Sequence, residues 1–192
     1  MVTERVGIIG LGVMGSGMAN NLIRDGHQVI GFDVDPERIA VFEAGGGRAA
    51  TSAGEVAGNA SLMILSLPTE DSLQQVAAEI AADAGPDLLC LETGTFTLEA
   101  KQSARSTLAA AGVELMDTPL SGTGLQAADG TLVVFASGSE AGYRRAAEVL
   151  ASISKSTHFL GEFGNGSKMK YVANLLVAIH NLATAEAHAL GV

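Results

Sequence analysis

The sequence is poor in cysteine, histidine and basic residues, and each shortage excludes a class of site or partner. A single cysteine, Cys90, cannot support a disulfide framework, and it lies in an apolar run that predicts a buried strand. The 11 lysines and arginines form no cluster and are outnumbered by 21 acidic residues, which gives a net charge of −10. This charge argues against nucleic acid and anionic membranes as partners.

Metal-binding, targeting and membrane-spanning patterns are also missing. The four histidines are scattered, and no group of His, Cys and carboxylates has the spacing of metal ligands, so we expect no metal. The apolar run near the C-terminus is interrupted by polar residues such as Asn174 and His180, which argues against a membrane span. No signal peptide precedes the first predicted strand, so we expect a cytoplasmic protein.

A glycine-rich turn between a predicted strand, residues 5–9, and a predicted helix is the first feature that points to function. In such a turn Gly10 permits the tight bend, Gly12 lets a pyrophosphate approach the backbone, and Gly15 lets the helix pack closely on the strand. The N-terminus of the helix offers unpaired N–H groups to the phosphates. We therefore predict a dinucleotide-binding turn made of Gly10, Leu11, Gly12, Val13, Met14 and Gly15.

An acidic residue follows the second predicted strand, residues 28–32, at the position expected for recognition of the adenosine ribose. Asp33 lies 23 residues after Gly10, where its carboxylate would accept hydrogen bonds from the ribose hydroxyls. The same carboxylate would repel a 2′-phosphate, and no arginine follows immediately, so NAD is favoured over NADP. The alternative is that Asp33 only begins the next helix, a role that we assign to Asp35 before Pro36.

Strands and helices alternate along the chain, which predicts an α/β fold of Rossmann type with a mostly parallel sheet and helices on both faces. A capping box, Ser52 to Glu55, predicts a short helix. After Asp117 the pattern changes to a loop, a strand, a helix from about Ser139 and a final strand. The predicted strands are 61–66, 87–91, 113–116, 131–136 and 157–160, and the longer helices begin near Thr69 and Thr97.

The last segment predicts one long helix from about residue 166 to residue 190. It is apolar almost all round at its centre, and such a helix is expected to be buried. Nothing later in this chain could cover it. We therefore expect a dinucleotide-binding domain at 1–163, a long interdomain helix at 164–192 that starts a missing helical domain, and a homo-oligomer, dimeric or larger, that buries this helix.

Two further segments contain groups capable of chemistry. The segment from Asp117 to Leu132 is rich in small residues whose N–H groups could converge on an anion, although it could also be a connection without a chemical role. Lys170 and Asn174 lie four residues apart on one helix face. A lysine beside apolar positions either extends to water or is partly desolvated, and desolvation would lower its pKa toward the range of an acid–base catalyst.

Together these three segments resemble the β-hydroxyacid dehydrogenase family, which includes 3-hydroxyisobutyrate dehydrogenase and tartronate semialdehyde reductase and is related to 6-phosphogluconate dehydrogenase. The resemblance extends over essentially the whole chain. It is found in the segment from Gly10 to Leu22, in the pattern Asp-x-Pro-x-Ser-Gly from Asp117 to Gly122, and in Gly164-x-Gly166 followed by Lys170 and Asn174.

The resemblance implies an NAD-dependent oxidoreductase that transfers a hydride between nicotinamide and a small β-hydroxy carboxylic acid. It implies that Lys170 is the general acid/base and that Asn174 hydrogen-bonds the substrate. It also implies that the substrate carboxylate is held by Ser121 with the backbone of Gly122 and Thr123, and that the nicotinamide is bordered by Leu67, Pro68 and Thr95.

The sequence departs from the family pattern in three places. Thr123 replaces the second glycine that usually follows the loop serine, and Glu92-Thr-Gly-Thr95 stands where Asp-x-Ser-Thr is common. The all-helical domain that follows in family members is not in this sequence. One alternative is therefore a truncated NAD-binding or dimerisation module without turnover. A flavin-binding or methyl-donor-binding protein is a further alternative, but it leaves Lys170 and Asn174 unexplained.

Overall fold

A computed structural model of the chain describes residues 5–85 and 87–191, and its largest sheet has six parallel strands. The order in the sheet is β3-β2-β1-β4-β5-β6, so it reverses between β1 and β4 and leaves a crevice at the carboxyl ends of these strands. The predicted α/β fold of Rossmann type is confirmed. The strands are β1 Arg5–Ile9, β2 Gln28–Phe32, β3 Arg48–Ala49, β4 Leu62–Leu65, β5 Leu89–Glu92 and β6 Glu114–Asp117.

Five helices connect these strands, and most begin at a side chain that caps their first turn. Asp35, Ser52, Thr69 and Thr97 each accept a hydrogen bond from a first-turn N–H group, which satisfies a donor without a partner in the helix. The predicted capping box at Ser52 forms only in part, because the Glu55 carboxylate accepts from Thr51 instead. The helices are α1 Val13–Arg24, α2 Pro36–Ala44, α3 Ala53–Asn59, α4 Glu70–Asp83 and α5 Leu98–Ala110.

The large sheet buries apolar side chains on both faces, as expected for a parallel sheet covered by helices on each side. Alternate residues of neighbouring strands divide between two core clusters, with Ile8 and Ile64 in one and Ile9 and Leu65 in the other. Cys90 belongs to the second cluster and is fully buried in β5, as predicted. Burial raises the pKa of its thiol to about 12, so it is unreactive.

The chain after Asp117 forms a second, three-stranded sheet, and here the sequence-based prediction is incomplete. The predicted loop contains a short strand and a short helix, the predicted helix from Ser139 divides at Ala146, and the last strand begins three residues earlier than predicted. In this sheet β7 and β8 are antiparallel and β8 and β9 are parallel. The elements are β7 Leu120–Ser121, α6 Gly124–Ala128, β8 Leu132–Ala136, α7 Glu140–Arg145, α8 Ala147–Ile153 and β9 Ser154–Phe159.

The predicted long helix is present as α9, Asn165–Leu190, and it begins after Gly164 at φ 95°. From Val172 to Leu190 its side chains are exposed, apart from the half-buried Ala173. Leu175, for example, is 61% exposed. Among the described residues, no helix combines the length and apolarity that crossing a membrane requires. The proposed boundary at residues 163 and 164 stays a prediction, and its outer limits, residues 1 and 192, lie outside the described part of the chain.

Close packing between α1 and α6 makes a testable demand on Gly17. A Cβ atom at Gly17 would lie 2.8 Å from the carbonyl carbon of Ala127 and 2.9 Å from the backbone nitrogen of Ala128. We predict that Gly17→Ala lowers the free energy of unfolding by about 1–3 kcal/mol, because two backbones must separate. Urea denaturation measures this change.

The matched control is Gly58→Ala, also within a helix. Its Cβ atom would meet only the Asp83 carbonyl oxygen at 3.4 Å, which is an ordinary contact. Alanine is favoured over glycine in a helix by about 1 kcal/mol, so this variant should be neutral or more stable. Equal destabilisation by both substitutions would contradict the packing argument.

Candidate cofactor and catalytic site

The glycine turn between β1 and α1 has a shape that only glycine permits. Gly10 adopts φ 90°, and a Cβ atom there would lie 2.1 Å from the Ser66 carbonyl oxygen. A Cβ atom at Gly15 would lie 1.8 Å from the carbonyl oxygen of Gly10. At Gly12, the N-cap of α1, no side chain caps the helix, and the nearest atom to an added Cβ would be Arg38 Nη1 at 3.6 Å. The helix N-terminus is therefore open to an anion.

A cavity of about 400 Å³ adjoins this turn at the carboxyl ends of β1, β2 and β4. Apolar and polar groups both line it, as is usual for a cofactor site. Leu11 and Gly15 are buried, and Thr95 is exposed after β5 without lining this cavity. The predicted cofactor residues that line the cavity are Gly10, Gly12, Val13, Met14, Asp33, Leu67 and Pro68.

Asp33 connects the end of β2 to the glycine turn. Its side chain is buried, and its Oδ2 accepts a hydrogen bond of 2.7 Å from the Leu11 N–H group. Its Oδ1 accepts one of 2.9 Å from the Asp35 N–H group. Oδ1 has a second lone pair, whereas Oδ2 also accepts from Arg38 Nη1 at 3.4 Å, so Asp33 can still accept a hydrogen bond through Oδ1 from a ligand in the cavity.

Arg38 is a residue of this site that the sequence analysis missed. Its Nη1 lies 3.4 Å from Asp33 Oδ2, its Nε lies 3.3 Å from Asp35 Oδ2, and its side chain lines the cavity. No arginine directly follows Asp33 in the sequence, but one turn of α2 brings Arg38 back over the strand end. The spacing of three residues between Asp35 and Arg38 was the signal for this contact.

The predicted substrate segment starts as β7 and passes into α6. Ser121 pairs with Val133 across the small sheet, and Gly122 adopts φ 147°. The Ser121 hydroxyl makes no hydrogen bond within the described residues. The Thr123 N–H group, which we expected to face a carboxylate, donates to Gln126 Oε1 at 2.9 Å in a capping box of α6. Thr123 therefore caps the N-terminus of α6, a role that was not predicted from the sequence.

The start of α6 lies directly against the start of α1. A Cβ atom added at Gly124 would be 2.4 Å from Val13 Cγ1, so a side chain there would require Val13 to move. This contact places the predicted substrate segment beside the predicted pyrophosphate turn. The two segments are more than 100 residues apart in sequence, and no local pattern predicts their contact.

Lys170 lies on the second turn of α9 and is half-buried, whereas Asn174, one turn later, is exposed. Within the described part of the chain, Lys170 takes part in no ion pair. Partial burial lowers the pKa of its ammonium group, since burial disfavours the charged form. Lys168 is exposed. The sequence left open whether the Lys170 side chain extends to water or is partly desolvated, and its half-buried position agrees with partial desolvation.

A buried cluster of charges at the ends of β5 and β6 was not predicted as a unit. Lys101 of α5 is fully buried, with its Nζ 2.5 Å from Glu92 Oε2 and 2.8 Å from Asp117 Oδ1. It also donates a hydrogen bond of 2.7 Å to the Gly94 carbonyl oxygen. Lys101 has helical spacing to the buried residues Ala104 and Leu108, and this spacing could have placed it on the inner face of α5.

Asp117 of this cluster also holds the first turn of α9. Its Oδ2 accepts hydrogen bonds from the Ser167 N–H group at 2.8 Å and from the Ser137 hydroxyl at 3.0 Å. Its Oδ1 accepts one from the Ser167 hydroxyl at 2.7 Å, and the Gly166 N–H group donates to Ser137 Oγ at 2.9 Å. The segment that leads to Ser121 and the helix that carries Lys170 are thus joined by one carboxylate.

Comparison with known proteins shows which family the chain belongs to. The model of the NAD binding domain of 6-phosphogluconate dehydrogenase matches residues 5–161. This chain belongs to the β-hydroxyacid dehydrogenase family. The resemblance predicted from the three sequence segments is therefore confirmed.

The alignments with individual relatives cover nearly all of this chain but only part of the length of each relative. The 3-hydroxyisobutyrate dehydrogenase of Pseudomonas aeruginosa is 33% identical over 97% of this chain and 64% of that enzyme. The L-threonate dehydrogenase of Cupriavidus necator is 32% identical over 99% and 65%. The solved structure of Mycobacterium tuberculosis 3-hydroxyisobutyrate dehydrogenase with L-serine superposes with a TM-score of 0.93 at 30% identity, over 97% and 64%. The chain spans just under two thirds of these relatives.

In the buried cluster of Lys101, Glu92 and Asp117, burial and neighbouring charges shift the pKa values of Lys101 and Glu92 in opposite directions. Burial alone would lower the pKa of Lys101, but the Glu92 and Asp117 carboxylates outweigh it and raise that pKa. Burial raises the pKa of Glu92, and the Lys101 ammonium only partly opposes this. The two shifts are coupled, because the charged Lys101 is stabilised by a carboxylate whose own ionisation is opposed by burial. Across residues 5–85 and 87–191, no three His, Cys or acidic side chains form a potential metal site.

The raised pKa of Glu92 predicts how stability changes with pH. The folded protein holds the Glu92 proton more tightly than the unfolded chain, so the contribution of this group is complete below pH 4.5 and is lost as the pH rises through the folded pKa. Glutamine cannot ionise. We predict that Glu92→Gln becomes progressively more stable relative to the unsubstituted protein as the pH rises from 4.5, as measured by urea unfolding at several pH values.

Glu70→Gln is the matched control. Hydrogen bonds from Thr97 lower the pKa of Glu70, so the contribution of this group is lost only as the pH falls below 4.5, and the relative stability of this variant should stay nearly constant over the same rise in pH. Parallel pH dependences for the two variants would contradict the assignment of Glu92 as a carboxyl whose pKa the fold raises.

Proposed function

We propose that the chain provides the cofactor site and the proton-transferring lysine of an NAD-dependent oxidoreductase that acts on a small β-hydroxy carboxylic acid similar to 3-hydroxyisobutyrate. The observation that carries the proposal is the half-buried Lys170, whose pKa is lowered and whose helix is attached through Asp117 to the segment of Ser121. The names of the relatives, dehydrogenases of 3-hydroxyisobutyrate and L-threonate, support a hydroxy acid as the substrate class.

The residues around the glycine turn fit a nicotinamide dinucleotide. Gly10 and Gly15 lack the side chains that would strike backbone atoms and prevent the turn, Gly12 would let a pyrophosphate approach the N-terminus of α1, and Leu11, Val13 and Met14 complete the turn. Asp33 would accept hydrogen bonds from the adenosine ribose, which favours NAD over NADP. Leu67, Pro68 and Thr95 would border the nicotinamide. When bound, the cofactor supplies the acceptor for a hydride from the substrate carbon.

Protein groups would orient the acid and move its proton. The neutral amine of Lys170 would take the hydroxyl proton during oxidation and return it during reduction, a role that a lowered pKa favours. Asn174 would hydrogen-bond the substrate. The Ser121 hydroxyl, with the backbone of Gly122 and Thr123, would hold the carboxylate, and the Thr123 N–H group would exchange its hydrogen bond to Gln126 Oε1 for one to the substrate. The Cβ atom of Thr123 would narrow the pocket toward small acids.

The exposed apolar residues of α9 support a second part of the proposal. Leu175, Leu176 and Ile179 are each about half exposed or more, which is unusual for a helix with this composition. We propose that a homo-oligomer buries this helix in a cytoplasmic protein. The same observation favours the alternative function, an NAD-binding or dimerisation module without turnover of its own, which predicts cofactor binding and association but no product.

Lys170→Ala tests the proposed proton transfer. Because general acid–base groups contribute roughly 10²–10⁴-fold to rates, we predict that kcat falls by at least about 100-fold. NADH affinity, measured by fluorescence titration, should remain nearly unchanged. Lys168→Ala, two residues away and exposed, is the control and should retain activity. Loss of NADH binding in Lys170→Ala would show that the role is misassigned.

Asp33→Ser tests the proposed cofactor preference. This substitution removes the carboxylate that repels a 2′-phosphate and frees Arg38, whose Nη1 lies 3.4 Å from Asp33. Hydrogen bonds to charged groups are worth about 1.5–3 kcal/mol, so the ratio of the Kd for NADPH to that for NADH should fall by about 10- to 100-fold. Asp35→Ser also loses a contact with Arg38 but retains Asp33, and it should leave the ratio unchanged. An equal shift in both variants would count against Asp33 as the discriminating residue.

A further inference from the structure

A fully buried lysine in α5 has no part in the roles assigned so far. Lys101 is completely inaccessible to solvent. Of the residues proposed to contact cofactor or substrate, Thr95 is the one that lies in the loop held by Lys101. Burying an ammonium group is costly unless it is paired and hydrogen-bonded. The residues that pair with it therefore indicate what this lysine does.

We propose that Lys101 is a positioning residue that joins the loop after β5, the start of the substrate segment and the first turn of α9, and thereby fixes Lys170 in its half-buried place. The catalytic consequence of this inference rests on the proposed function, in which Lys170 transfers the proton. Its geometry stands independently of that function.

The contacts of the Lys101 ammonium reach two strand ends and the loop between β5 and α5. It donates to the carbonyl oxygen of Gly94, directly before Thr95, which we place near the nicotinamide. It lies 2.5 Å from the carboxylate of Glu92 at the end of β5. It lies 2.8 Å from the carboxylate of Asp117, where β6 ends and the substrate segment begins. One cation thus fixes the spacing of these elements.

Asp117 extends this connection to α9. The same oxygen that faces Lys101 accepts a hydrogen bond from the Ser167 hydroxyl, and the other oxygen accepts one from the Ser167 N–H group. One turn later, the Tyr171 hydroxyl donates to the carbonyl oxygen of Phe96, in the loop that Lys101 holds through Gly94. Lys170 lies between these two attachments, so its depth depends on both.

The influence of Lys101 on Lys170 must pass through the position of the helix. Burial, not a neighbouring charge, lowers the pKa of Lys170. If α9 moves away from the loop after β5, the Lys170 amine gains water and its pKa rises toward the ordinary value of 10.5. A measurement of the Lys170 pKa therefore reports the position of this helix.

The proposed test is competitive labelling of the full chain with acetic anhydride across a pH series, read at each lysine by mass spectrometry. Lys155 and Lys168 are exposed and serve as internal references. In Lys101→Met the labelling midpoint of Lys170 should move to higher pH. A rise of half a unit lowers the fraction of free amine below the midpoint about threefold. The references should not move, and NADH should still bind, with a weakening of at most about tenfold (~1.4 kcal/mol), because Lys101 reaches the cofactor site only through the loop before Thr95.

A second variant covers the case in which Lys101→Met does not fold. Glu92→Gln combined with Lys101→Met removes one negative and one positive charge, so the formal charge of the cluster stays at its original value. This double variant should fold and show the same shift at Lys170. Gln102→Met, on the exposed side of α5, is the control for the new side chain and should leave Lys170 labelling unchanged.

Three outcomes would overturn the inference. An unchanged Lys170 midpoint in a folded variant would limit Lys101 to a structural role, and so would failure of both variants to fold. Loss of NADH binding along with the shift would mean that the cluster supports the whole domain. Because labelling needs no turnover, a shift in a protein without dehydrogenase activity would support positioning and refute the proposed function. Activity without a shift would do the reverse.

Discussion

The carboxylate of Asp117 is the group on which the arrangement of the candidate site depends. It lies at the end of the last strand of the large sheet and accepts hydrogen bonds from Lys101, Ser137 and Ser167. These donors come from α5, from the end of β8 and from α9. A buried carboxylate with this number of donors has few other stable positions, because moving Lys101 would leave a charge unpaired and moving either serine would leave a buried polar group without its hydrogen bond. The fold thus fixes the start of α9 at the same place where the substrate segment begins.

The cofactor side of the site is built from backbone rather than charge. The glycine turn fits between β1 and Ser66 only without side chains, and Asp33 holds its Leu11 amide from the neighbouring strand. The contact of Gly124 with Val13 then brings α6 against the same turn. The resulting crevice lies where the strand order reverses, the usual ligand position in open α/β sheets.

Much of this architecture could be predicted from the sequence, because local patterns determine it. A few neighbouring residues in sequence determine each of three features: the glycine turn, the buried run around Cys90 and the cap at Asp35. The prediction was wrong in the segment from Asp117 to Gly130, where small residues suggested a loop and the Thr123–Gln126 capping box went unnoticed. The Lys101 cluster could not be predicted as a unit, because Glu92, Asp117 and Ser167 meet only through the tertiary fold. The contact of Arg38 with Asp33 depends likewise on how α2 turns back over β2.

The most direct test of the account is the formation of NADH from NAD and 3-hydroxyisobutyrate by the purified chain, followed by its near-ultraviolet absorbance. We predict that NADH accumulates with this acid and does not accumulate with isobutyrate, which has the same carboxylate but no hydroxyl group to oxidise. Binding of NAD without any NADH formation from small β-hydroxy acids would contradict the proposed oxidoreductase and leave a binding module. Absence of NAD binding would contradict the reading of the glycine turn itself.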